Sequence, residues 1–226
     1  MSIWTRITQA ISALTSGQSL AEIFEILRSP PERSIAFTIA VIGLGAKMAK
    51  ADGQVTRDEV TAFRQVFNIP PEDEGAAAKV FNLARRDVAG FEEYARQIGA
   101  MFRDDKRALC DLLEGLFHIA MADGAYDPRE DEFLVQVAAH FGIDDRQFRA
   151  IRTRFVPDTE PDPYDVLGVS PDTPLLDIRN AWRAQVRETH PDRMQARGLP
   201  VEAVKLAESR LAALNNAWDE IRAARA

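Results

Sequence analysis

Two sets of residues have types and spacings that could do chemistry. The first is His190-Pro191-Asp192, an imidazole and a carboxylate on either side of a ring that fixes its own backbone. Arg179, Arg183 and Arg187 precede it at steps of four, and Arg193 follows. On a helix that spacing makes one basic stripe, running toward the tripeptide. Such a stripe could dock on an acidic partner, where complementary charge raises the on-rate and fixes orientation. The plainer alternative is a solvated helix face. The tripeptide has its own plain alternative: Pro stops helices, His suits a helix C-terminus and Asp is common in turns.

The second set is acidic: Asp52, Glu59, Asp123 and Glu130. Asp52-Gly53-x-Val55-x-x-x-Glu59 matches the second half of a calcium-binding helix-loop-helix. The first half fails, because the first and third ligand positions would be Met48 and Lys50, or Ile119 and Met121 in the second copy. Calcium needs oxygens there. A metal shared by all four carboxylates is the remaining metal reading, and helix capping is the default one. His118 and His140 are expected to be ordinary helix residues. No Gly-rich phosphate loop, nucleophile elbow or paired-His motif occurs, so neither an enzyme nor a bound cofactor is expected.

Helices must carry these groups. Apolar residues recur at three and four throughout the first 155 positions, as in Leu112, Leu113, Leu116, Phe117 and Ala120, and no stretch alternates like a strand. Helices are predicted near 3–15, 19–28, 32–51, 57–67, 72–86, 89–102, 105–122, 128–140 and 145–155. Residues 156–162, with Pro157 and Pro161, read as a short acidic linker, and Pro163 follows. This divides the chain into a helical domain, 1–155, with an extension at about 1–28, and a second domain, 163–226.

The first domain contains a repeat. Ala49-Lys50-Ala51-Asp52-Gly53 recurs as Ala120-Met121-Ala122-Asp123-Gly124. Thr56 with Glu59, and Asp127 with Glu130, stand as capping boxes, and Pro128 opens the second of the helices. Gly53 and Gly124 suit left-handed positions at helix ends. In the second domain Thr173 is expected to cap a helix opened by Pro174. That helix buries Ile178, Ala181, Trp182, Val186 and Thr189. A partner helix at about 201–224 offers Val204, Ala207, Leu211, Leu214, Trp218 and Ile221. The pair should form a hairpin, with Tyr164–Val169 laid across it.

From Pro163 onward nine basic and nine acidic side chains cancel, so the whole net charge of −7 lies before it. An acidic first domain argues against nucleic acid as a partner. Cys110 is the only cysteine, which excludes an intramolecular disulfide and a cysteine zinc site and points to a reducing compartment. Residues 35–46 form the longest apolar run, too short for a membrane span. Neither a transmembrane segment nor a signal peptide is expected. Ile3, Ile7, Ile11 and Leu14 form an apolar stripe suited to packing or self-association, with a membrane surface as the alternative.

Three ordered matches carry a family resemblance: Asp162-Pro163-Tyr164-Asp165-Val166-Leu167-Gly168-Val169, then His190-Pro191-Asp192, then Leu214-Asn215-Asn216-Ala217-Trp218-Asp219-Glu220-Ile221. Residues 162–226 resemble a J domain, the module that docks on DnaK-type chaperones and triggers their ATP hydrolysis. The repeat with its Asp-Gly turns resembles the TerB-like (tellurite-resistance) domain. That order, with Arg193-Met194-Gln195-Ala196-Arg197-Gly198-Leu199-Pro200 after the tripeptide, resembles the DjlA family. The resemblance implies an all-α fold: a TerB-like bundle with an internal repeat, then a J-domain hairpin. It implies a co-chaperone in which His190, Pro191, Asp192, the Arg179-Arg183-Arg187 stripe and Arg193 form the docking surface. The first domain would select a client or partner. Trp182 and Trp218 replace the family's usual Tyr, so both should be core. Gln185 replaces an apolar residue, which should loosen the packing. The expected place is the cytoplasm, with peripheral contact at the inner membrane as the variant. The competing function is a metal- or stress-sensing interaction protein of tellurite-resistance type.

Overall fold

The computed structural model describes residues 33–52, 74–86, 90–122, 124–156, 161–196 and 201–225. Among them are ten helices and no strand, so the fold is all-α. In chain order these are α1 (Arg33–Asp52), α2 (Glu74–Arg86), α3 (Phe91–Met101), α4 (Lys106–Ala120), α5 (Pro128–Phe141) and α6 (Asp145–Arg152). They continue with α7 (Pro163–Val166), α8 (Leu175–Glu188), α9 (Pro191–Ala196) and α10 (Val201–Ala224). The predicted helices 3–15, 19–28 and 57–67 lie outside the described residues. So do Gly53, Thr56, Glu59, Asp123, residues 157–160 and residues 197–200.

The apolar run around residues 37–48 is α1, buried through Phe37, Ile39, Ile42, Leu44 and Met48. A helix apolar all round must sit inside a bundle, and α2, α3, α4 and α5 all pack on it. Each neighbour contributes one apolar face, such as Leu109, Leu112, Leu113, Leu116 and Phe117 of α4. Helices α3 and α5 meet at Gly99, where a Cβ would stand 2.7 Å from the His140 carbonyl oxygen. Only a residue without a side chain allows that approach.

The second capping box forms as expected. Asp127 caps α5 by accepting from Arg129 N at 2.7 Å, Glu130 Oε2 accepts from Asp127 N at 3.1 Å, and Pro128 opens the helix. Gly124 is left-handed, with φ +81, as expected. Helix α4, however, already ends at Ala120, so this glycine shapes the turn rather than the helix end. The left-handed cap that does end a helix is Gly142, after α5.

A second apolar cluster gathers Leu167, Ile178, Leu214, Ala217, Trp218 and Ile221 from the chain after residue 162. Helix α10 packs against α7, α8 and α9, and also against α4 of the bundle. Its Ala207 belongs to the bundle core, while Leu214 to Ile221 belong to the second cluster.

Candidate functional site

Helix α8 carries the arginine stripe. It opens at Leu175 with Pro174 at the N-cap and no side-chain cap bond, so Thr173 does not cap it. The ring of Pro174 presets the chain at the N-cap, and Asp177 in the first turn meets the helix dipole. Ile178 is buried at the start, while Arg179, Arg183 and Arg187 are exposed along the other face.

The hairpin core is partly polar. Gln185 Nε2 donates to the Leu167 carbonyl at 2.7 Å, so the expected loosening is instead a tether between α8 and the chain after α7. Trp182 and Trp218 stack with centroids 5.4 Å apart and planes at 13°. Trp218 is buried as expected, but Trp182 is half-buried. Its indole N–H donates to Asn215 Oδ1 at 3.0 Å, which satisfies the polar edge at the rim. Arg225 ties the far end by donating to the Thr173 carbonyl at 2.8 Å and to Tyr164 Oη at 3.1 Å.

Thr189 closes α8, and the chain turns at once into α9. Residues 191–196 after His190 are therefore a short helix. Pro191 suits its first position, where no N–H is needed. The His190 carbonyl accepts from Arg193 N at 3.0 Å and Met194 N at 3.1 Å. The imidazole Nδ1 accepts from Asp192 N at 3.3 Å. In the neutral ring this assigns the proton to Nε2, which is left available to a partner. His190 and Asp192 project together, 60% and 89% exposed at the side chain, with Nδ1 and Oδ2 3.7 Å apart. Arg193 turns back to pair with Glu188.

Of the acidic set, only the side chain of Glu130 belongs to the described residues. Helix α1 ends at Asp52, Glu59 and Asp123 lie outside the described residues, and Glu130 is spent on its cap. Among the described residues no group of three or more potential metal ligands gathers. His118 is half-buried, and burial holds its pKa below the ordinary value. His140 is exposed in the last turn of α5.

A charge cluster that the sequence motifs do not include lies between α4, α10 and the chain just after α6. Arg210 of α10, 4% exposed, forks onto Glu114 with Nε to Oε1 at 3.0 Å and Nη2 to Oε2 at 2.7 Å, and also bonds Asp111. Arg154 Nη2 lies 2.5 Å from Glu114 Oε1. Bidentate pairs of this kind are the strong ones. Burial alone would push the Glu114 carboxyl up, but Arg154 and Arg210 beside it hold it below the carboxylate range. Burial opposes the charge on Arg210, yet Asp111 and Glu114 outweigh it and raise its pKa. Burial, with the anions beside it, pushes the Cys110 thiol up to about 11. The signal was present: Asp111 and Glu114 interrupt an apolar face, and Arg210 stands between Ala207 and Leu214. At the edge of the cluster Arg107 Nη2 donates to Thr189 Oγ1 at 3.1 Å. A second clamp joins α6 to α7, where Arg146 Nε meets Asp165 Oδ1 at 2.9 Å.

Residues 38–153, just over half of the chain, match the family described as tellurite resistance protein TerB. The chain is also similar to proteins named "Co-chaperone protein DjlA". The one from Photobacterium profundum is 28% identical over 224 residues, 84% of this chain and 78% of that protein. The one from Vibrio parahaemolyticus is 26% identical, covering 86% and 80%. The one from Escherichia coli is 24% identical, covering 84% and 80%. No solved structure matches. A TerB match across the bundle, with similarity to these relatives over 84–86% of the chain, has one consequence: the chain belongs to the TerB family and is DjlA-like.

Proposed function

We propose that this protein is a DnaJ-type co-chaperone that docks on a DnaK-type chaperone and stimulates its ATP hydrolysis. The observation that carries the reading is the side-by-side exposure of His190 and Asp192 at the end of a basic helix, on a backbone pinned by the turn into α9. The relatives' printed name adds to it. Residues 163–226 act as the J domain, residues 156–162 as the linker, and the TerB-like bundle as the adaptor for a client or partner. The docking surface is His190, Pro191 and Asp192 with Arg179, Arg183 and Arg187. Arg193 braces the turn through Glu188 and contributes charge at its rim. The cytoplasm is the compartment this reading requires, and a single free cysteine suits it.

The chain performs no bond chemistry in this reading. His190 acts by differential binding: contacts that favour the chaperone's hydrolysis-competent state shift its population. The arginine stripe gathers the partner by long-range attraction, which salt screens over about 10 Å at 0.1 M. Single-turnover ATP hydrolysis by a DnaK-type chaperone tests the proposal. The full chain accelerates turnover, and His190→Gln abolishes that acceleration while the thermal melt moves little, because the side chain is exposed. No acceleration at saturating full chain sinks the docking reading. Stimulation that survives His190→Gln removes His190 from it.

A further inference from the structure

Thr189 stands directly before the exposed His190, yet it is 0% exposed. Its hydroxyl donates to the Gln185 carbonyl at 2.8 Å and accepts from Arg107 Nη2 at 3.1 Å. Arg107 lies in the first turn of α4, so this bond joins the bundle to the turn that carries the tripeptide. Met194, four residues past His190, is also 0% exposed and belongs to the bundle core rather than the hairpin cluster. His190-Pro191-Asp192 therefore stands between two anchors, both sunk in the TerB-like bundle. One and two turns along α4 from Arg107, Asp111 and Glu114 hold Arg210 of α10. Both helices of the hairpin are thus fixed to one face of one helix.

We propose that α4 presents the tripeptide to the chaperone. Arg107, acting through Thr189, is a positioning residue that sets the pose of His190-Pro191-Asp192, and Arg210 with Asp111 and Glu114 holds the hairpin in that pose. The inference rests on the docking reading above. It makes the bundle more than a tether for clients, because what grips α4 also governs docking geometry. The turn has few other restraints. Pro191 supplies no donor, and the remaining bonds within 189–194 run between neighbours along the chain. A local turn of this kind can rotate as a unit unless something distant holds it.

The test uses the full chain throughout, well below its melting temperature. The concentration giving half-maximal stimulation of single-turnover ATP hydrolysis is measured for the wild type, Arg107→Ala, Thr189→Val, the double variant and Thr189→Ser. Arg107→Ala and Thr189→Val each raise that concentration about fivefold, the scale of one lost hydrogen bond. The maximal stimulation at saturation stays near the wild-type value. The double variant is no worse than Arg107→Ala, which already removes the bond to Thr189 together with a 3.5 Å bond from Arg107 Nη2 to the Gln185 carbonyl. Thr189→Ser keeps the hydroxyl and recovers most of the loss. A purely structural role predicts a lowered melt with unchanged half-maximal concentration, and that result overturns the proposal. Additive losses in the double variant overturn it as well. If Arg107→Ala fails to fold, the contrast between Thr189→Val and Thr189→Ser decides alone, and equal curves for those two overturn it. Wild-type stimulation abolished by His190→Gln but indifferent to Arg107 and Thr189 leaves docking intact and removes positioning. A wild type that never stimulates removes both.

Discussion

Glu114 is the residue on which most of the buried charge converges. It takes three bonds from Arg210 and one contact from Arg154, all away from solvent. Its folded pKa is depressed, so its ionised form stabilises the fold. That contribution is complete above the unfolded value of about 4.3 and is lost as pH falls through the lower, folded value. The urea midpoint of the wild type should therefore drop steeply below about pH 4.3. Glu114→Gln keeps the shape and removes the charge, leaving Arg154 and Arg210 short of an anion. It should cost about 3–5 kcal/mol at neutral pH and flatten the acid limb. An unchanged acid limb in Glu114→Gln would assign the pH dependence to other carboxylates. His190 and Asp192 were legible as a pair from type and spacing. Arg107 and Thr189 were not, because their bond spans 82 positions and Thr189 reads simply as part of the apolar face of α8.

Helices were the most legible feature, and their meeting points the least. Periodicity located α1, α4, α5 and α10 to within a few residues, and the capping box fixed the start of α5. What periodicity cannot carry is which faces touch. Gly99 reads in sequence as a weak helix residue, yet it is where α3 crosses α5 against the His140 carbonyl. An alanine methyl would have to push backbone aside, since a carbonyl oxygen has no rotamer to escape into. Gly99→Ala gains helix propensity of about 1 kcal/mol. Overpacking costs about 1–3 kcal/mol. The contact is with rigid backbone, so the cost wins and the thermal midpoint falls. A raised midpoint would mean the two helices can slide apart freely. The tether from Gln185 is equally invisible in sequence, its amide satisfying a buried carbonyl that an apolar side chain would have left unpaired. Residues 191–196 also form a helix, because Pro191 can open a helix as well as end one.

Across the whole molecule two apolar clusters share α10, with Ala207 in one and Leu214 to Ile221 in the other. The cluster around Arg210 and the clamp at Arg146 bind the hairpin to the bundle, so the two should unfold as one unit. Circular dichroism reads all helices, whereas the stacked Trp182 and Trp218 report the hairpin. The two melts should coincide in the wild type and separate in Arg210→Ala, which strands Asp111 and Glu114. Separate wild-type transitions would mean the modules are only loosely joined. The placement of Arg210 also has a mechanical side. Arg107, Asp111 and Glu114 all lie on α4 within two turns, close to the tripeptide and far from the start of α8. That face of α4 is a fulcrum. Arg179 lies ten residues from Thr189, about 15 Å along the helix. A tilt of about 10° at the fulcrum would sweep Arg179 through about 3 Å while scarcely displacing His190. A small rotation of the bundle's fourth helix would re-aim the arginine stripe and leave His190 where it was.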